Sequence, residues 1–576
     1  MITDALCATL ETHTRRLFAD ESTAAEVAAT LALRASEYAG QIQATTRSAL
    51  SAATSFLIAY GDAVTSPGTP PLRTLKRTLD RYIGDVITDV HLLPIFPSTS
   101  DGGFSVVDYR KIDPALGDWN DVHALGVGRD TMLDFVANHT STCSPWFQGW
   151  LSGDDRYRDY YLERKDSFDT SSVVRPRTTE LFHAFTRPNG AALEAWTTFS
   201  ADQVDVNVSN PRVLVELTEV LLCYLAHGAT TIRLDAIGYL WKRSGTTCIH
   251  LPETHTIVKL WRSIIDAVAP GARLLTETNV PHADNIAYLG DGDEAHMVYQ
   301  FPLPPLVLHT FLTGSSAILN EWLEGLEPLK PGCTWFNFLA SHDGIGMRPS
   351  LGILNDAERA ALVARALEHG GRVSYASGPS GTSQVYELNV SFLDALVPAR
   401  VAADDAAVAA RALAAHAILL ALQGVPAIYY HSLFGSSHDL EGMLRSGDNR
   451  SINRARLDEA SLDAELSVAG RRRTILDGML TLLRARAASS AFHPHSPQRI
   501  IRLDDRLVAI ERGSGADRVL VLVNIAGTPV PLPHITGNVI LGDSVQLDRG
   551  AIDPDSILWI ANATVTTPRS PGTGHR

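Results

Sequence analysis

Ser55–Tyr60 (SFLIAY), Asp89–Phe96 (DVHLLPIF) and Thr131–Ala137 (TMLDFVA) are three short apolar runs, and the helix-like stretch Leu72–Ile83 lies between the first two. Short apolar runs alternating with longer amphipathic stretches read as buried strands joined by helices. The pattern continues downstream in Thr231–Asp235 (TIRLD), Arg273–Glu277 (RLLTE), Met297–Phe301, Thr334–Ala340 (TWFNFLA) and Val425–Tyr430, with helical stretches between most of them. Strand–helix alternation repeated about eight times predicts an α/β fold, a parallel (β/α)8 TIM barrel.

Working outward, residues 1–51 are rich in Ala, Thr and Leu, and Ala24–Ser36 has helical periodicity, which predicts an N-terminal helical extension. The barrel is expected over 52–486. It is interrupted after its third strand by 140–206, a polar and aromatic stretch with Trp146, Trp150, Tyr157, Tyr160 and Tyr161. A barrel loop of this length reads as an inserted small domain, here called domain B. Over 487–576 the helices stop. Ile500–Leu503, Leu507–Arg512, Val519–Asn524 and Ile557–Ile560 predict a C-terminal antiparallel β domain, with a disordered Pro- and Gly-containing tail over Thr566–Arg576.

The chain has 576 residues, 45% hydrophobic and 20% charged, with a net charge of −15. That usage is globular and excludes a disordered chain, a collagen or a disulfide miniprotein. The acidic balance argues against a nucleic-acid partner, which would need a basic footprint. Five widely spaced cysteines, with no CxxC, argue against a disulfide framework and favour a reducing compartment. Met1–Arg16 carries Asp4 and Glu11 and does not read as a signal peptide. The longest apolar stretch, Ala412–Tyr430, is broken by Gln423, Gly424 and Pro426 and reads as a buried helix followed by a strand. A cytoplasmic protein without membrane contact is expected.

Polar residues at strand ends stand out because barrel active sites lie at the C-terminal ends of the strands. Four strands end this way: in Asp134-Phe-Val-Ala-Asn138-His139, in Arg233-Leu-Asp235-Ala236, in Glu277-Thr278-Asn279, and in Ser341-His342-Asp343. A lone carboxylate there is usually a helix N-cap or half of an ion pair. Three of them converging with an Arg and two His on one pocket meet the need of glycoside cleavage with retention, where one carboxylate attacks and the other donates a proton. No HExxH, no clustered Cys/His and no nucleotide-cradling glycine loop in the right context occur, so neither metal nor cofactor is predicted.

These motifs resemble glycoside hydrolase family 13, the α-amylase superfamily, from about Ser55 to the end of the chain. Asp101-Gly-Gly-Phe104, Ala340–Gly346 (ASHDGIG), Phe301–His309 and Asn449–Arg454 (NRSINR) are similar to its sucrose-phosphorylase branch. Gly245–Leu251 (GTTCIHL), Thr276–Asn285, Asp293–Gln300, Arg175-Pro-Arg177 and the N-terminal extension are most similar to the glucosylglycerate phosphorylases within it. The resemblance implies a glycosyltransferase that passes glucose from 2-O-α-D-glucosylglycerate to phosphate, giving α-D-glucose 1-phosphate and D-glycerate. It implies Asp235 as nucleophile, Glu277 as general acid and base, and Asp343 as the third catalytic carboxylate. Asp101, Phe104, His139, Arg233, His342 and Arg450 are implied as substrate-binding residues, with Arg233 keeping Asp235 ionised.

Phosphate, unlike water, needs cations or N–H donors beside the covalent ester. Arg175, Arg177, Lys242 and His250 are the candidate donors for acceptor or phosphate binding, with Ser432–His438 (SLFGSSH) as a supporting loop. Solvated loop charge is the competing reading for the two arginines, and Lys242 reads as a surface residue. Phe104 as plain core and Arg450 as a surface ion pair are likewise weighed. The enzyme alternatives are phosphorylases of sucrose, sucrose 6′-phosphate or glucosylglycerol. A different class, an inactive amylase-like binding subunit, is disfavoured by the intact carboxylates. The partners expected are small molecules, and a homodimer is left open.

Overall fold

The computed structural model of the chain describes residues 3–42, 49–377 and 383–566, so the tail expected to be disordered falls outside it beyond Thr566. Among the described residues, eight parallel strands close a barrel: β1 Phe56–Ala59, β2 Asp89–Leu92, β3 Asp130–Phe135, β4 Thr231–Leu234, β5 Arg273–Thr276, β6 Met297–Tyr299, β7 Thr334–Phe338 and β8 Val425–Tyr429. Each strand pairs with its neighbours in chain order, and β8 closes on β1. The strands are buried nearly throughout, since helices cover the outside and side chains fill the inside, which is why they read as short apolar runs rather than alternating ones.

Two registers decide where the acids go. Asp134 on β3 lies opposite Arg233 on β4, and Leu234 on β4 lies opposite Thr276 on β5. Asp235 and Glu277, each one residue past its strand, therefore emerge side by side at the barrel rim.

The N-terminal extension forms two helices, α1 Asp4–Leu17 and α2 Glu21–Ala39, capped by the side chains of Thr3 and Asp20. Their apolar faces, Leu6, Leu10, Val27 and Leu31 among them, join the main core. The helix α1 packs on α4 (Pro252–Val268), and α2 packs on α3 (Pro211–Ala226), with Arg34 paired to Glu219 at 2.7 Å. The extension thus covers the flank of the barrel.

The insertion after β3 begins and ends on one antiparallel pair, His139–Ser141 with Gln203–Asp205. Lys242, read as a surface residue, instead lies buried at its root, with 2% of its side chain exposed. Its ammonium sits 2.7 Å from Asp205 and 2.7 Å from Asn138 Oδ1. Asp205 also accepts the Thr198 N–H and hydroxyl and the Asn138 amide. The lysine thus ties the insertion to the barrel with a desolvated charge pair. Lys242→Met would leave Asp205 buried without its cation and is expected to cost about 3–5 kcal/mol. Urea unfolding measures this, and a loss below about 1 kcal/mol, the scale of an exposed pair, would refute it.

Beyond β8 and its following helices, five strands form an antiparallel sheet in the order 498–500, 507–512, 519–524, 557–566, 534–541. The strand His534–Leu541 is not among the expected ones; Gly537 lies at a register shift inside it. A second missed element matters more. Arg372–Ser377 and Ser383–Asn389 form antiparallel strands in the long β7-to-β8 connection, and Ile345–Gly346 pairs onto the second of them. No helix among the described residues is long and apolar enough to cross a membrane.

Candidate active site

A cavity of about 670 Å³ opens at the C-terminal rim of the barrel. Asp235, Glu277 and Asp343 line it together, with Asp101, Phe104, His139, Arg233, His342, Arg450, Arg177 and His250. The sequence therefore named eleven of the residues that the fold brings to one wall, and one that it does not: Arg175 is not part of the lining. Two residues along, Arg177 places its guanidinium over the Tyr386 ring, 5.4 Å from the centroid, which a solvated loop charge would not do. The Ser432–His438 loop contributes Ser432 and Ser437 to a neighbouring cavity of about 650 Å³, which meets the first only at Asn279 and Asp343.

The nucleophile candidate is framed by charge. Arg233 is almost fully buried and pairs with both Asp134 and Asp235, the latter at 2.8 Å. Its Nε also donates to the Tyr299 hydroxyl, 3.2 Å away. Asp134 in turn meets His91 Nε2 at 2.7 Å. Burial works to raise the Asp134 carboxyl, but Arg233 and His91 overcome it and hold the group below its usual range. The guanidinium is thus divided between two aspartates. For Asp235 burial prevails: the carboxyl is pushed well up, Arg233 opposing and Glu277 adding repulsion. Arg233 therefore opposes the rise of the Asp235 carboxyl while sharing its charge with Asp134, a division that a sequence motif does not reveal.

Glu277 is also raised by burial, against the pull of Arg233. Its Oε2 accepts the N–H of Ala236, the residue after Asp235, at 2.9 Å. Ala236 has φ +47°, a left-handed conformation disfavoured for a residue with a Cβ. That strained turn aims its N–H at Glu277 and joins the two strand ends directly.

The opposite end of the cavity is a net of carboxylates and guanidiniums. Asp343 lies 2.6 Å from Arg450, and Arg450 forks onto Glu387 with contacts of 2.7 and 3.2 Å. Arg450 has 14% of its side chain exposed and is no surface pair. Arg454 reaches Asp101 at 3.4 Å and donates to the His342 carbonyl at 3.0 Å. Burial disfavours the charge on Asp101, yet Arg454, Arg450 and Arg177 together hold its carboxyl at about 2. Asp101 sits on a tight turn with φ +49°, followed by Gly102 at φ +60°, where a Cβ would strike Arg454 Nη1 at 2.7 Å. Only glycine lets the chain come that close.

Phe104 stacks on His342 with centroids 4.7 Å apart and planes 11° from parallel. It is buried and faces the cavity, so it belongs to the wall as well as the core. His342 is driven well down by burial and by three nearby arginines and stays neutral. His139 contacts the Phe104 carbonyl at 2.9 Å and Gln203 at 3.2 Å through Nε2, so its ring is engaged before any ligand arrives. His250 sits at φ +56°, its Nδ1 2.9 Å from the Tyr288 hydroxyl, and burial lowers the imidazole to about 4.

Several wall residues escaped the sequence reading. Arg454 stands four residues from Arg450 on the same short turn, a spacing that was legible. Tyr386 and Glu387 lie on the missed strand Ser383–Asn389, whose polar–apolar alternation was the available signal. Gln203 and Tyr239 carried none.

An alpha-amylase catalytic-domain family model matches residues 74–343. A glucosylglycerate phosphorylase of Allomeiothermus silvanus is 47% identical over 88% of this chain and 90% of its own length. A sucrose phosphorylase of Agrobacterium vitis is 32% identical over 71% of this chain and 84% of its own. The solved sucrose 6F-phosphate phosphorylase from Thermoanaerobacter thermosaccharolyticum superposes with a TM-score of 0.72, at 26% identity, covering 84% of this chain and 96% of that one. Eight parallel strands delivering an Arg–Asp–Glu–Asp set to one rim cavity define an amylase-type catalytic barrel. The chain belongs to the α-amylase family, and these relatives are phosphorylases within it.

Proposed function

We propose that this chain is a retaining glucosylglycerate phosphorylase that converts 2-O-α-D-glucosylglycerate and phosphate into α-D-glucose 1-phosphate and D-glycerate. The observation that carries the reading is the 47% identity with a glucosylglycerate phosphorylase across nine-tenths of both chains, against 32% with a sucrose phosphorylase.

Glucose occupies the end of the cavity bounded by Asp101, Phe104, His342 and Arg450, with Asp343 on its hydroxyls. Asp235 attacks C1 while the bond from C1 to the glycerate O2 breaks, and Glu277 gives that oxygen its proton. A β-glucosyl ester on Asp235 results, and D-glycerate leaves. Phosphate then attacks C1 from the vacated side, the ester oxygen departs with its electron pair, and Glu277 takes up the phosphate proton. Of the two raised carboxyls, Glu277 is the one that keeps a proton in the resting site: Asp235 touches a guanidinium, whereas Glu277 has only a backbone N–H. Acids surrounding a cationic transition state stabilise it. The five unpaired thiols support work in a reducing cytoplasm.

In the synthetic direction, purified protein with glucose 1-phosphate is expected to glucosylate D-glycerate at least about tenfold more efficiently than fructose or glycerol, a preference one well-placed charged contact supplies. Phosphate release with each acceptor measures this. Preference for fructose or glycerol would transfer the reading to the sucrose or glucosylglycerol enzymes. No glucose transfer at all, with Asp235→Asn behaving as wild type, would favour the binding-subunit alternative.

A further inference from the structure

The turn that brings Asp101 and Phe104 to the cavity wall needs support from outside itself. Asp101, Gly102 and Gly103 follow one another at φ +49°, +60° and +105°. An aspartate in that conformation persists only where its surroundings fix it. The turn caps a small loop from Ser98 to Val106, which pair as an antiparallel bridge, and the Thr99 N–H donates to the Ser105 carbonyl at 3.1 Å. Around the tip the contacts to Asp101 are long: 3.3 Å from Gln203 Nε2 and 3.4 Å from Arg454.

Asp202, which does not line the cavity, grips this loop on both sides of its tip. Its Oδ2 stands 2.5 Å from the hydroxyls of Thr99 and Ser100, which precede the turn, and 2.8 Å from that of Ser105, which follows it. Its Oδ1 accepts the Thr142 hydroxyl at 2.6 Å and the Thr142 N–H at 3.3 Å, with the Ser141 hydroxyl also at 3.3 Å. Ser141 and Thr142 lie where the insertion leaves the barrel. One carboxylate therefore joins the loop to the root of the insertion. Burial works against its charge, but the hydroxyls of Ser100, Thr142, Thr99 and Ser105 hold the carboxyl below its usual range. An ionised carboxylate, which only accepts, is suited to so many donors at once. The residue after it, Gln203, is held by the same anchorage, and its Nε2 lies 3.3 Å from both Asp101 Oδ2 and the Phe104 carbonyl.

We propose that Asp202 is a positioning residue for the sugar: by bracketing the turn it holds Asp101 and Phe104 where glucose meets them, without touching the substrate itself. The inference rests on the phosphorylase reading above and extends it to the residue that keeps the glucose-binding wall in place. The same wall holds glucose in the donor complex, in the ester and in the transition states between them. Loosening it weakens the step that starts from the empty site and spares the step that starts from the ester.

The test is steady-state kinetics of the full chain as wild type, Asp202→Ala and Asp202→Asn. The donors are the glucoside and α-glucosyl fluoride, and the acceptors are phosphate and D-glycerate. In a double displacement, kcat/KM for the donor is measured from the free enzyme, whereas kcat/KM for the acceptor is measured from the glucosyl ester, in which the sugar is already seated. Asp202→Ala is expected to lower kcat/KM for both donors about tenfold, and to leave kcat/KM for both acceptors within about twofold of wild type. Asp202→Asn keeps the shape and one accepting oxygen and should recover part of the donor loss. A merely structural role would reduce the active fraction and scale donor and acceptor constants by one factor. Equal losses for donor and acceptor, or a donor loss in the Ala variant below about threefold, would overturn the inference. Should the Ala variant not fold, the Asn variant decides, by whether its donor constants fall more than its acceptor constants. A wild-type chain that passes glucose from the fluoride to phosphate but ignores D-glycerate would sink the functional reading and leave the Asp202 comparison intact, so the two failures are separable.

Discussion

Asp235→Asn is expected to lower kcat/KM for the glucoside on the order of 10⁵-fold, because a neutral amide cannot form the glucosyl ester on which both half-reactions depend. The substitution is nearly isosteric and keeps an oxygen for the 2.8 Å contact with Arg233, so the loss reports chemistry rather than collapse of the site. It also relieves charge crowding: the charge of Arg233 is then balanced by Asp134 without a second aspartate, and the repulsion between Asp235 and Glu277 disappears. The variant should therefore unfold no more easily than wild type while being almost inactive. A 2-deoxy-2-fluoroglucosyl donor supplies the direct check. Wild type should carry one trapped sugar, located by peptide mass spectrometry at Asp235, and the variant none. A label on Asp343 or Glu277, or turnover of the variant within about tenfold of wild type, would overturn the assignment of the nucleophile.

Glu277→Gln should separate the proton from the bond it serves. With the natural glucoside the leaving oxygen needs a proton, and a loss of about 10³- to 10⁴-fold is expected. With α-glucosyl fluoride the departing group needs little help, so most of that loss should vanish. Equal losses with both donors would mean that Glu277 is structural. The pH profile carries the same claim. Turnover requires Glu277 protonated, and burial raises its carboxyl above the ordinary range, so activity persists to higher pH before falling. Asp235 must be ionised, and burial raises it also, so the acid limb moves upward as well. The optimum should lie above the range ordinary carboxylates would set, and Glu277→Gln should abolish the alkaline limb with the natural substrate.

The barrel was legible because a strand packed on both faces has to be apolar, which leaves its rim as the place where acids stand out. Asp235, Glu277 and Asp343 were found for that reason, and the spacing Arg233–Asp235 predicted the contact that is observed. The hairpin carrying Tyr386 and Glu387 was not read, since two short strands inside a long connection have no helix between them to punctuate the pattern. Lys242 was misread because nothing local announces a buried ammonium.

By itself, then, the order of residues determined the barrel, the acids at its rim and the family likeness, all carried by short-range periodicity and by motifs a few residues long. What the tertiary structure alone decided is how the charges are apportioned. Arg233 is divided between Asp134 and Asp235, Arg450 is drawn to Glu387 sixty-three residues away, and Lys242 is sunk between Asn138 and Asp205. The reason is physical. A buried charge is set by whatever neighbours replace its water, and those neighbours come from strands and loops far apart in the chain.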